Sequence, residues 1–69
     1  MGLYRYRIIA PGTAGKAEAI AENRAQVETQ IPHGEQRVVK RYQGAKKLAT
    51  YTVERDVRGA CRWQQIRNQ

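Results

Sequence analysis

At 69 residues, 41% hydrophobic and with only two prolines, the chain can form one small domain with a modest core, and its composition excludes a disordered or low-complexity chain. Thirteen Lys and Arg against six Asp and Glu give a net charge of +7, which favours nucleic acid, an anionic membrane or an acidic protein as partner. Cys61 is the only cysteine, which excludes an intramolecular disulfide. With no leader-like N-terminus and no apolar run of ~18 residues, the expectation is a soluble, cytoplasmic protein.

Residues 2–10 alternate strictly. Tyr4, Tyr6 and Ile8 fall on one face, and Leu3, Arg5, Arg7 and Ile9 on the other. A period of two in aromatic and β-branched residues predicts a strand with the tyrosines inward. Pro11, Gly12, Thr13 and Gly15 then form a loop. PGTAGK looks like a phosphate-binding loop at first sight. Its glycines stand too close together, however, and Ala17 occupies the place of the magnesium-binding hydroxyl.

Residues 13–31 are alanine-rich and predict a helix, with Thr13 as N-cap candidate and Pro32 as terminator. Ala17, Ile20, Ala21, Arg24, Val27 and Ile31 recur on one side. Glu18, Glu22 and Glu28 outnumber Lys16 and Arg24, so the helix is slightly acidic.

Residues 36–67 hold three strand-like runs separated by the turns Gln43-Gly44-Ala45 and Asp56-Val57-Arg58-Gly59. This basic meander carries nine bases and two acids, a surplus equal to the charge of the whole chain. Ala49, Tyr51 and Val53 alternate inward, as do Cys61 and Trp63. In the first run the adjacent Val38 and Val39 blur the alternation; placing Val38 and Tyr42 inward leaves Arg37, Val39 and Arg41 outward and turns Lys40 in. The expected fold is therefore α+β: a single small domain of order β-α-β-β-β, with one helix packed on one face of a mainly antiparallel four-stranded sheet. Its free face would gather Arg5, Arg7, Arg37, Arg41 and Arg62 with Thr50 and Thr52.

Catalysis has little to stand on. His33 sits alone between Pro32 and Gly34, Cys61 reads as a small core residue beside Trp63, and the carboxylates are scattered. No Cys/His grouping has metal-ligand spacing. The expectation is a protein that is not an enzyme and uses no cofactor or metal.

Binding is the better reading. Nine arginines against four lysines favour planar forks that grip phosphates. Arg5, Arg7, Arg37, Arg41, Lys46, Lys47, Arg58 and Arg62 are the expected contacts to nucleic acid of undetermined type or to a nucleoprotein. An outward Tyr42 or Tyr51 would add base stacking. The bland reading of the same residues is a solvated sheet face. A second functional class is a protein-interaction module, docking on an acidic protein surface or pairing sheet edges in a homodimer. A membrane role is not expected, because the helix is alanine-faced and slightly acidic, the reverse of the basic amphipathic pattern.

A strand, a helix and a three-stranded meander ending in Cys61-Arg62-Trp63 is similar, in size and element order, to the small phage-borne anti-CRISPR proteins. That resemblance implies an inhibitor or adaptor that occupies a nucleoprotein surface or recruits nucleic acid nonspecifically.

Overall fold

The computed structural model describes residues 4–66. Expectations for Leu3, Arg67 and the polar tail Asn68-Gln69 lie outside the described residues. The elements are β1 (Tyr4–Ile9), β2 (Ala17–Ala21), α1 (Arg24–Gln30), β3 (Gln36–Gln43), β4 (Lys46–Arg55) and β5 (Cys61–Ile66). They form one five-stranded sheet of order β2-β1-β3-β4-β5, with every neighbouring pair antiparallel. The α+β class with one helix and an antiparallel sheet holds. The four strands and the β-α-β-β-β order do not: a second strand precedes the helix.

The correction lies in residues 13–31. Alanine favours helix only while packing does not decide the matter. Here Ala19 and Ala21 face the core side, Ala21 fully buried, while Ile20 points away and is 58% exposed. The strand folds back on β1 through the Pro11–Gly15 turn, where Gly12 and Gly15 take φ of +76° and +84°. Thr13 does not cap a helix; its hydroxyl donates to Ala10 O and accepts from Lys16 N, closing that turn. Pairing with β1 slips between Ile8 and Ile9, leaving Glu18 as an extra residue.

The helix itself is short and starts at Asn23. Asn23 Oδ1 accepts from Gln26 N, and Gln26 Oε1 accepts from Glu22 N, a reciprocal cap close to the capping-box pattern. It ends where Ile31 turns extended ahead of Pro32, the conformation that a residue before proline prefers.

One face of the sheet meets the helix. Tyr6, Ile8, Ala21, Val27, Ile31, Val39, Tyr51 and Val53 form the buried cluster, with Ala19, Ala49, Cys61 and Trp63 packed against it. Trp63 stands edge-on to Tyr6 and Tyr51, with centroids 6.1 and 5.4 Å away. Arg55 reaches from β4 to the last turn of the helix and donates to Glu28 O, Ile31 O and Gly59 O. No helix among the described residues is long and apolar enough to cross a membrane.

The expected facing of β1, β4 and β5 is observed. That of β3 is reversed. Val39 sits opposite Ile8 and Tyr51 in the buried column, so Val39 is fully buried while Val38 is exposed. Arg37 and Arg41 therefore lie on the helix side, and Lys40 and Tyr42 on the open side.

Candidate nucleic-acid interface

The open face is built by cross-strand rows. Arg7 lies directly opposite Lys40, and Lys40 opposite Thr50. In the next row Arg5 faces Tyr42, and Tyr42 faces Lys47. The β3–β4 pairing slips here, with Leu48 as the extra residue that keeps Lys47 beside Tyr42. The Arg7 guanidinium carbon is 4.9 Å from the centroid of the Tyr42 ring. Lys46 follows at the mouth of the hairpin that Gly44 turns. The result is a corner where Arg5, Arg7, Lys40 and Lys47 surround one half-buried tyrosine.

Like charges directly opposite one another destabilise a sheet. Among the described residues, ion pairs form only at Arg37, so no carboxylate neutralises this corner. Further along the face the charge balances: Arg62 stands opposite Glu54, and Ile9, Val38 and Thr52 fill the middle.

Of the eight cations expected at the interface, the structure brings together Arg5, Arg7 and Lys47, while Lys46, opposite Gln43, falls on the helix side of the hairpin end. Arg62 shares the face but stands four residues further along β4, beside Glu54. Arg58 lies in the β4–β5 turn at the opposite end of β4 from Lys46, where its backbone N donates to Asp56 Oδ1. Arg37 is on the other side, its side chain only 10% exposed, bonded to Glu18 at 3.0 Å and Glu35 at 2.8 Å. Burial alone would lower its pKa, but the two carboxylates outweigh burial and raise it. Arg41 is also on the helix side, its guanidinium carbon 4.2 Å from the Tyr4 centroid. The Tyr51 oxygen raises its pKa against the effect of burial.

Lys40 and Tyr42 belong to the corner: Lys40 was expected inward, and Tyr42, also placed inward, takes the outward alternative that base stacking would need. Their signal was the Val38-Val39 doublet: choosing Val39 as the inward residue turns both outward.

The remaining reactive side chains are held by structural contacts. His33 Nδ1 lies 3.2 Å from Val57 O in an exposed loop. Burial pushes the Cys61 thiol up, Glu28 and Asp56 add to the shift, and Arg55 opposes it, so the neutral thiol is favoured. Among the described residues, no three His, Cys, Asp or Glu side chains cluster as metal ligands.

Comparison with known proteins adds no relative: no family model, no curated protein and no solved structure matches the chain. The likeness in element order to the small anti-CRISPR proteins lapses with the extra strand ahead of the helix.

Proposed function

We propose that this chain is a non-enzymatic binding protein that holds nucleic acid, alone or within a nucleoprotein, against the open face of its sheet. Arg5, Arg7, Lys40 and Lys47 take the phosphates, and Tyr42 offers a surface for a base. The observation that carries this reading is the Arg7–Lys40 pair, two cations directly opposite each other with no acid to relieve them. An arrangement that costs stability in the free protein and is relieved by a polyanion suits a binding site. An aromatic ring on an open sheet further favours single strands over duplex, because unstacked bases can lie on it. Cys61 as an unpaired thiol suits a reducing, cytoplasmic setting.

Titrating labelled oligothymidylate and a mixed-sequence duplex at several salt concentrations tests this reading. Tight binding at low salt that weakens steeply with added salt is expected, with the single strand preferred. No binding of either at low salt rejects it.

A second reading rests on Ile20, Val38 and Ile66, which expose apolar side chains on the same face. With the basic corner beside them, they suit a protein partner that is acidic at one end and apolar at the other, or a second copy paired at a sheet edge. Co-purification that survives nuclease treatment favours a protein partner, and sedimentation reports self-association.

A further inference from the structure

The helix side of the sheet also carries cations that the fold leaves without acids. Arg41 lies diagonal to Tyr51 across the β3–β4 ladder and stacks on Tyr4. Its Nε–H is buried and meets no acceptor among the described residues. Arg24, at the start of the short helix, lies over the rings of Trp63 and Tyr51, 4.7 and 5.4 Å from their centroids. The helix carboxylate one turn on, Glu28, is committed to the indole N–H of Trp63 at 2.7 Å. Thus two guanidiniums flank one tyrosine, each laid on an aromatic ring, and neither is in an ion pair.

A guanidinium stacked on a ring has its plane fixed and its N–H edge free. That edge is the part which forks to two phosphate oxygens. A positively charged residue in the first turn is also the unfavourable choice for the helix dipole, and no acid occupies that turn to offset it. Arg24 is therefore explained by its aromatic neighbours and by what its outer edge can bind.

We infer that Arg24 and Arg41, held on Trp63 and Tyr4, form a second phosphodiester-binding site on the helix side, so that one molecule holds two nucleic-acid segments on opposite faces of its sheet. This inference rests on the open-face reading for the first segment and adds the second. Charge complementarity selects the occupant: the site presents two oriented guanidiniums with no carboxylate to pair them, only the neutral Tyr51 oxygen beside Arg41, which suits a phosphate backbone and not a basic or neutral surface.

Trp63 is the sole tryptophan and lies under Arg24, so it reports occupancy of this site directly. Two experiments read the inference together. In the first, unlabelled oligothymidylate is titrated against Trp63 fluorescence. In the second, donor-labelled and acceptor-labelled oligothymidylates are mixed with protein and energy transfer between them is followed. Wild-type protein is expected to change Trp63 emission and to bring the labels together. R24Q/R41Q is expected to bind one oligonucleotide but lose both the transfer and the emission change. R5Q/R7Q/K40Q should lose the transfer and keep the emission change. Arg24 is exposed, so R24Q alone serves as a variant that folds, checked by circular dichroism, and a weakened transfer is expected from it. Wild-type binding with neither transfer nor a Trp63 response overturns the second site and leaves the open-face reading intact. Absence of any binding overturns both.

Discussion

The Trp63 indole donates its N–H to a carboxylate oxygen of Glu28 at 2.7 Å, tying edge strand β5 to the helix. A charge-assisted bond between half-buried groups is worth more than an average one. Glu28→Ala leaves the indole N–H without its acceptor and is expected to cost about 1–2 kcal/mol. Glu28→Gln keeps an acceptor and should recover most of the loss. Urea unfolding followed by Trp63 emission measures both. Equal stability of Glu28→Ala and wild type would show that the bond contributes nothing.

Arg55 does for the end of the helix what no residue of the helix does. The helix has no basic residue in its last turn, and Arg55 Nη1 donates to Glu28 O at 2.8 Å and Ile31 O at 3.0 Å, while Nε donates to Gly59 O at 3.1 Å. Carbonyls at a helix end need such partners. Arg55→Ala is expected to lower stability by about 2–3 kcal/mol, and Arg55→Lys, with a point charge in place of a fork, to restore only part of it. Nucleic-acid affinity measured well below the unfolding transition should not change.

Arg37 and Arg7 invite opposite outcomes although both were expected on one surface. Arg37 is nearly buried between Glu18 and Glu35, so Arg37→Gln should reduce stability and leave affinity unchanged. Arg7→Gln/Lys40→Gln should raise stability slightly by removing a like-charge pair, while weakening binding of single strands. Its slope of log K against log salt should fall by about 1.4, or ~0.7 per cation removed. Chemical unfolding and a salt titration on the same three proteins separate the two effects. A loss of affinity confined to Arg37→Gln would move the binding surface to the helix side.

Alternation was enough to read β1, β4 and β5, because in each a polar residue separates the inward ones: Arg5 between Tyr4 and Tyr6, Thr52 between Tyr51 and Val53, Arg62 between Cys61 and Trp63. It failed at β3, where Val38 and Val39 serve either face equally. Only the register with Ile8 and Tyr51 decides between them. An inward arginine looks expensive on the page of a sequence. Arg37 and Arg41 are tolerated because each finds a partner, one reaching Glu18 and Glu35, the other lying on Tyr4. Arg5, Arg7 and Lys47 were therefore visible before the fold, and the outward placing of Lys40 and Tyr42 was hidden behind one valine.

The missing strand has a different cause. AEAIA satisfies helix propensity and shows no clean apolar–polar alternation, yet propensity is a weak preference that yields when a neighbouring strand is available. The Pro11–Gly15 turn places β1 alongside. Asn23 and Gln26 mark the true helix start with a capping pattern that the sequence does contain.

Cys61 predicts an alkaline limit to stability. Burial raises its thiol pKa in the folded state, so the unfolded chain ionises first as pH rises. The stability contributed by the neutral thiol is full below the ordinary thiol pKa of about 8.5. It is lost as pH climbs through the raised folded value. Urea midpoints should decline over that window in wild type and less so in Cys61→Ala. Iodoacetamide should alkylate the folded thiol more slowly than the unfolded one, and equal rates would show that the site does not favour the neutral form.

Gly59 and Gly44 both take positive φ, +96° and +60°, yet substitution should separate them sharply. A Cβ at Gly59 would lie 3.1 Å from His33 Cε1 and 3.4 Å from Arg55 Nη2, while one at Gly44 would meet nothing within 4 Å. Gly59→Ala combines an unfavourable backbone with pressure on the arginine that caps the helix, and a cost of about 2–3 kcal/mol is expected. Gly44→Asn puts a residue tolerant of left-handed backbone into an open turn and should cost under about 1 kcal/mol. Unfolding midpoints at constant m-value measure the difference. Because Gly44 closes the hairpin that carries Lys46 and Lys47, its Asn variant should also keep wild-type affinity for oligothymidylate. A tenfold loss of affinity in that stable variant would show that the turn backbone itself approaches the ligand.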